Sequence, residues 1–329
     1  MDFSKEKEEI SMKRFTMLVV GIMLCLFCFT GIGLSQENFV LGTAGSGGTF
    51  NYIGSALANF ISENLDDLDV RAITTGGSNV NIRLLSEGEI DFGMANSLSL
   101  YFAREGLKLW EGKPQKNLRA ITRTHAASIH YVVEKGAGIN SFEDLIGTRG
   151  NTDVVGGTTR LIHQDVCKFA GVDMNKMAQT NVNYVQALDL FRDGHIDWFM
   201  ASGSVPEANV TEIAYTRDID ILDVGGDLRD RMLEEIPYYF PRTIPAGTYE
   251  GIDRPVETID TVAAIWCDES MPDEIAYEIA KVIHDNIEEV RELHVGLSDL
   301  SVDNAAGGLG IPLHPGAEKY YQEAKEMCE

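Results

Sequence analysis

The sequence predicts an α/β protein of two lobes, with mainly parallel central sheets and a ligand cleft between the lobes. Three observations predict this. Strand-like and helix-like runs alternate along the chain, the pattern of parallel βαβ units. The segment LLSEGEIDFGMA at 84–95 returns at 190–201 as LFRDGHIDWFMA. A glycine-opened helix start, Gly47-Gly48-Thr49, returns as Gly156-Gly157-Thr158. The offsets, 84 to 190 and 47 to 156, are nearly equal, as expected of two related halves.

The first strand runs near 38–43, carried by Asn38-Phe39-Val40-Leu41. Glycines then let the backbone turn tightly into a helix over 48–64. Such a turn leaves helix N–H groups uncovered, which suits an anion. Further strands are expected near 69–74, 90–95, 118–122, 129–134, 152–155, 196–200, 219–222 and 257–266. Further helices are expected near 79–87, 97–105, 158–170, 184–193, 271–294 and 315–327. Ser141-Phe142-Glu143-Asp144 has the form of a capping box. In each repeated segment an acidic residue and glycine stop a helix. A short strand then delivers a polar loop, Asn96-Ser97 or Ser202-Gly203, to the edge where open α/β sheets bind ligands. Glu87, Glu89, Asp91, Asp193 and Asp197 flank these turns and are expected in solvent.

Composition excludes several classes. The net charge of −24 over 329 residues argues against nucleic acid, which needs a basic footprint. Any anionic ligand must be held by local donors against that field. At the N-terminus Lys13-Arg14 precedes an apolar run from Phe15 to Leu34, and Gly33 and Ser35 sit at −3 and −1 of a cut before Gln36. This is the layout of a signal peptide over 1–35, with an uncleaved anchor as the alternative. Cys28 is no lipoprotein site, because Phe27 precedes it. The remaining Cys167, Cys267 and Cys328 make neither a disulfide framework nor a metal spacing. No cofactor and no metal are expected, and with no coiled-coil seam a monomer is the default.

Catalytic chemistry finds little support. The first glycine loop lacks the Gly-Lys-Ser/Thr of a P-loop and the third glycine of a dinucleotide fingerprint. The seven histidines are scattered; His130 reads as structural, His163 as packing or surface, and Ser46 as a donor or cap. Arg123, Arg160 and Arg242 are candidate carboxylate partners, since arginine offers bidentate geometry that lysine lacks. Tyr238-Tyr239-Phe240-Pro241 is a candidate pocket wall.

The stretches GTAGSGGTFNYIGSALA, TTGGSNVNIRLLSEGEIDFGMA, GGTTR, YYFPRTIPAGTYEG and IPLHPGAEKYYQE together resemble the TAXI family of solute receptors of TRAP transporters. The likeness runs over nearly all of the mature region. It implies a periplasmic binding protein of the two-lobed clamshell kind that closes on a small carboxylate, glutamate-like, oxoglutarate-like or another dicarboxylate. It also implies delivery to an ion-gradient-driven TRAP-type membrane permease. By the resemblance, Ser46, Gly47, Gly48, Thr49 and Phe50 of the first loop hold the ligand carboxylate. Asn96 and Ser97, then Gly157, Thr158, Thr159 and Arg160 of the second loop, then Ser202 and Gly203 face it. Arg123, Tyr239 and Arg242 complete the candidate set. Leu98, Val154-Val155 and Arg123-Thr124-His125 depart from the family pattern, which bears on the ligand's amino or distal group. The expected lobes are 36–125 with 255–329, and 126–254. A sensory binding protein that presents its ligand to a membrane kinase or chemoreceptor is the alternative. An enzyme on the same fold is a third.

Overall fold

The computed structural model describes residues 36–327; the predicted signal segment 1–35, with Cys25 and Cys28, and Cys328 lie outside the described residues. Ten strands form one sheet: β1 (Glu37–Gly42), β2 (Leu68–Ile73), β3 (Phe92–Asn96), β4 (Leu118–Glu134), β5 (Arg149–Asn151), β6 (Ala178–Thr180), β7 (Trp198–Gly203), β8 (Ile219–Leu222), β9 (Phe240–Ile244) and β10 (Val256–Asp268). The order is β2-β1-β3-β10-β4-β7-β5-β6, with β8 added on β4 and β9 on β10. Parallel pairs lie toward both ends, β1 with β3 and β5 with β6 and β7. The middle is antiparallel, because β4 leaves the first half and β10 returns to it alongside. The fold is a two-lobed α/β fold whose halves share these two long strands.

The helices are α1 (Thr49–Asn64), α2 (Ser78–Ser86), α3 (Ser97–Glu105), α4 (Thr158–Ala170), α5 (Tyr184–Arg192), α6 (Ala208–Thr216), α7 (Gly226–Glu235), α8 (Asp273–Asp285), α9 (Ile287–Leu293) and α10 (Pro315–Glu326). In the first half Ile53, Leu57 and Ile61 of α1 pack with Ile279, Ile283, Tyr320 and Tyr321 of α8 and α10. In the second, Ile162 and Val166 of α4 meet Trp198 on one side of the sheet. Leu188, Phe191 and Ile213 of α5 and α6 join Phe199 in a separate cluster. Each such buried side chain contributes roughly 1.5–3 kcal/mol. Helix α3 belongs to both halves: Leu98 and Phe102 enter the core of the second, Leu100 and Ala103 that of the first.

The internal echo extends to hydrogen bonds. Glu89 N–H donates to Leu84 O at 2.9 Å and His195 N–H to Leu190 O at 2.8 Å, the Schellman closure of α2 and α5. Gly88 and Gly194 hold φ of 73° and 71° at these stops, a conformation that favours glycine. Asp91 and Asp197 are not free in solvent. Asp91 accepts Val40 N–H at 2.8 Å and Asp197 accepts Arg149 N–H at 2.9 Å, so each aspartate ties its strand to the neighbouring one.

Other expectations change. The strands expected at 118–122 and 129–134 are one, because a bulge absorbs the polar Arg123-Thr124-His125 between them. Val262 pairs with Ala126 but Ala264 with Arg123, and such an insertion re-aims side chains. The strand expected at 152–155 is displaced to Arg149–Asn151, since Asp153 turns at φ 66°. The helix expected over 271–294 breaks at Asn286, whose side chain donates to Val282 O at 2.9 Å. The capping box operates at a 3-10 turn, where Asp144 accepts both Asn140 and Ser141 N–H.

Buried histidines, His314 among them, set the acid response. Burial pushes His125 down to about 3 and His130, His163 and His284 down to about 4. Below their ordinary value near 6.5 the unfolded chain takes up these protons and the folded chain does not, so acid destabilises. Burial pushes Asp153 and Asp260 up to about 6. That works in the opposite direction, because the folded chain then binds the extra protons between about 6 and the ordinary carboxylate value. Burial lowers His294 and His314 too, so the histidines outnumber the two aspartates. The melting temperature is therefore expected to fall as pH drops from about 6.5 toward about 4, which calorimetry over a pH series checks.

Candidate functional site

Helix α1 begins bare. Gly47 turns at φ 82°, Gly48 is the N-cap with no side-chain cap, and no acidic residue sits in the first turn. Its positive end therefore has no internal counter-charge from its own first turn. The first turn is held by its neighbours: a Cβ on Gly203 would stand 2.6 Å from the Thr49 hydroxyl, so only glycine lets β7 come this close. Phe50 meets the His125 ring edge-on at 5.5 Å.

Helix α4 also starts without a side-chain cap on its Gly157, but a carboxylate already lies there. Asp153 accepts Val154 N–H at 2.8 Å and bonds the Thr159 hydroxyl. One of its oxygens lies 2.4 Å from where a Cβ on Gly157 would stand. The two glycine loops thus differ: the second holds a carboxylate from its own segment, whereas the first has no acidic residue in its first turn.

Each loop is also gripped by the opposite half. Asn209 of α6 donates to Gly47 O at 3.0 Å, and Asn79 of α2 donates to Gly156 O at 2.9 Å. Trp110 donates to Asn79 at 3.2 Å. Ser99 and Thr158 share a hydroxyl bond of 2.7 Å, and Lys108 reaches Asp165 of α4 at 2.9 Å.

Against His125, whose ring meets Phe50 of α1, lies an open recess lined among others by Arg123, Ser128, Ser204, Arg242 and Asp299. Arg123 and His125 come from the bulge of β4, Arg242 from β9, and Gly296 from a loop packed against Ile53 of α1. Two polar atoms here are buried without a hydrogen-bond partner, His125 Nε2 and Arg242 Nε. The other histidine nitrogen, Nδ1, lies 3.1 Å from the Thr124 hydroxyl. Burial first, then His294 and Arg123, keep the ring neutral at ordinary pH. Asp260 of β10 accepts Ser128 Oγ–H at 2.5 Å, while its second oxygen stays 4.0 Å from Arg242 Nε. Burial raises Asp260; Ser128, Arg242 and Arg123 oppose that. Burial lowers Arg123, against the pull of Asp260 and Asp299. Two guanidiniums and a neutral imidazole around one recess can bind a carboxylate through charge-assisted bonds.

Of the residues singled out in sequence, Arg123 and Arg242 therefore come together. Phe50 packs on His125, whereas Thr49 and Gly203 touch each other, and neither they nor Ser202 lines the recess. Ser46 is exposed. Asn96 caps α3 by accepting Leu98 N–H at 3.0 Å and bonds Thr261, and Ser97 accepts Val262 N–H at 3.2 Å. Arg160 turns to Thr152 and Asn181 within the second half. Tyr239 is buried in the core, donating to Asp165 at 3.2 Å, so it does not wall the recess. His130 and His163 are buried and bond Tyr249 and Tyr131. Asp260 is legible as the charge inside the apolar part of β10, between Glu257 and Asp268 near its ends, and Ser128 carries no such signal.

Cys167 and Cys267 are buried free thiols, both raised by burial, Cys167 to about 12, which leaves them unreactive. Among the described residues no helix is long and apolar enough to cross a membrane, and no acidic, histidine or cysteine cluster fits a metal ion.

The fold is shared with solved structures at low identity. MatC from Rhodopseudomonas palustris with bound malate matches at 9% identity and TM-score 0.59, over 89% of this chain and 99% of that one. A protein from Bordetella bronchiseptica RB50 matches at 15% identity and TM-score 0.54, over 88% and 98%. A structure described as a periplasmic transporter matches at 12% identity and TM-score 0.53, over 90% and 94%. In sequence, the NMT1-like family matches residues 41–324, and the chain belongs to that family.

Proposed function

We propose that the protein is an extracytoplasmic solute receptor, not an enzyme, which captures a small carboxylate and hands it to a TRAP-type membrane permease. The carrying observation is the convergence of Arg123, Arg242 and His125 on one recess, with His125 Nε2 and Arg242 Nε unpartnered. Glutamate-like acids, 2-oxoglutarate and other dicarboxylates fit two guanidiniums, and the fold is one that in MatC accompanies bound malate. Residues 36–125 with 255–329 form one lobe in this reading, and 126–254 the other. Contacts through Asn79 and Asn209 hold the closed form. Export by residues 1–35 places it in the periplasm.

A thermal-shift panel of acidic amino acids, 2-oxoacids, dicarboxylates and neutral sugars tests this. At about 100 times Kd a ligand stabilises by about 2.7 kcal/mol, a shift of several degrees for a chain of this size. Acids are expected to raise the melting temperature and sugars to leave it unchanged. A response to sugars and to no acid contradicts the reading.

A further inference from the structure

Asp260 is buried among the very groups that the proposed ligand would use. Its carboxylate faces Arg123 and Ser128 from β4, and Arg242 from β9. Asp299 and His294, from the loop beyond α9, act on Arg123 and His125. Its hold on the arginines is loose. Ser128 takes one oxygen at 2.5 Å, whereas Arg242 Nε stands 4.0 Å from the other and has no hydrogen-bond partner. A structural arginine–carboxylate pair is usually bidentate and short. This one leaves its donors open while cancelling part of their charge.

Resting on the carboxylate-receptor reading, we propose that Asp260 determines affinity and selectivity as an internal competitor for Arg123 and Arg242, so that an incoming carboxylate binds together with a proton taken up by Asp260. Two carboxylates on one arginine pair repel, and protonating the buried one relieves that repulsion. Asp260 is already raised to about 6 in the free protein, and a second anion raises it further. The sign follows from linkage: the complex binds more protons than the free protein above about pH 6, so affinity rises as pH falls. Below about pH 6 the free protein already carries the proton and the gain levels off. The site then favours a ligand that stays ionised in mild acid, such as 2-oxoglutarate, over an acid that is itself protonated there.

Titration calorimetry with 2-oxoglutarate and L-glutamate, in buffers of different ionisation heat, tests this between about pH 8 and about pH 6. For whichever acid binds, the wild type is expected to take up a fraction of a proton and to gain affinity by up to about tenfold per pH unit. Asp260→Asn keeps the Ser128 bond and cancels the competition. It is expected to bind at about pH 8 as tightly as the wild type at about pH 6, with no proton uptake. Wild-type binding without proton uptake overturns the proposal, as does a folded Asp260→Asn protein that no longer binds or keeps the wild-type pH profile. If the wild type binds neither these nor any other acid, the receptor reading itself fails.

Discussion

Arg242→Ala is expected to weaken the proposed carboxylate binding by about 30- to 1,000-fold and to leave the fold intact. Removing one charged partner of a buried ligand carboxylate costs about 2–4 kcal/mol, much of it from leaving the anion underpaired; at 1.4 kcal/mol per tenfold this gives that range. The fold tolerates the change because Asp260 keeps Ser128 and can accept a proton when the arginine is gone. Edge strand β9 presents residue 242 on the face of the recess, and the Arg242 backbone pairs with Thr258, so shortening the side chain leaves the ladder unaltered. Calorimetry with 2-oxoglutarate measures the loss. Arg254→Ala serves as the control: Arg254 pairs with Asp220 and Asp223, does not line the recess, and its loss is expected to leave affinity within about twofold. Equal affinities for wild type and Arg242→Ala would show that the recess does not hold the ligand.

Asn81→Ala is expected to cost much stability for a single polar side chain. Asn81 on α2 is fully buried and donates to Gly42 O at 3.0 Å, Thr43 O at 2.7 Å and Met94 O at 2.8 Å. Its oxygen accepts from Thr75 at 2.6 Å. One amide thus fastens the ends of β1 and β3, the strands from which the first glycine loop and α3 depart. Truncation leaves buried carbonyls and a hydroxyl unpaired at about 1–3 kcal/mol each, and relaxation and water reduce the sum to about 2–4 kcal/mol. The melting temperature should fall by about 5–15 °C. Asn81→Asp keeps the shape but turns both donors into acceptors against three carbonyls, and is expected to do at least as much damage. Melting temperatures for both variants within a degree of wild type would rule out this role.

Much of the fold could be read from the sequence because the two halves repeat the same local physics. Glycine after an acidic residue stops α2 and α5, and glycine before threonine opens α1 and α4. Those signals are short-range, so they survive without knowledge of the partner strands. What escaped depends on distant partners. The bulge at Arg123-Thr124-His125 exists only because β10 lies alongside. Asp153 looks like a loop residue until its carboxylate is seen at the start of α4. Helix α7 buries only Met232, so its sequence lacks an apolar stripe.

The site shows the same division. Arg123 and Arg242 could be named as candidate carboxylate partners from their type and their position near strand ends, but their meeting at one recess could not. Asn96 and Ser97 have the composition of ligand donors, yet the structure employs them to start α3 and bind β10. Tyr239 has the profile of a pocket wall and is instead a core residue, because Asp165 offers its hydroxyl a buried acceptor. Polar residue type alone does not separate these uses. Which groups lack an internal partner does, and that is visible only in three dimensions.

The most direct measurement is a crystal structure of the protein grown with 2-oxoglutarate or glutamate. The prediction is a ligand carboxylate within hydrogen-bond distance of both the Arg123 and Arg242 guanidiniums. A ligand seated elsewhere, with those two guanidiniums untouched, would contradict it.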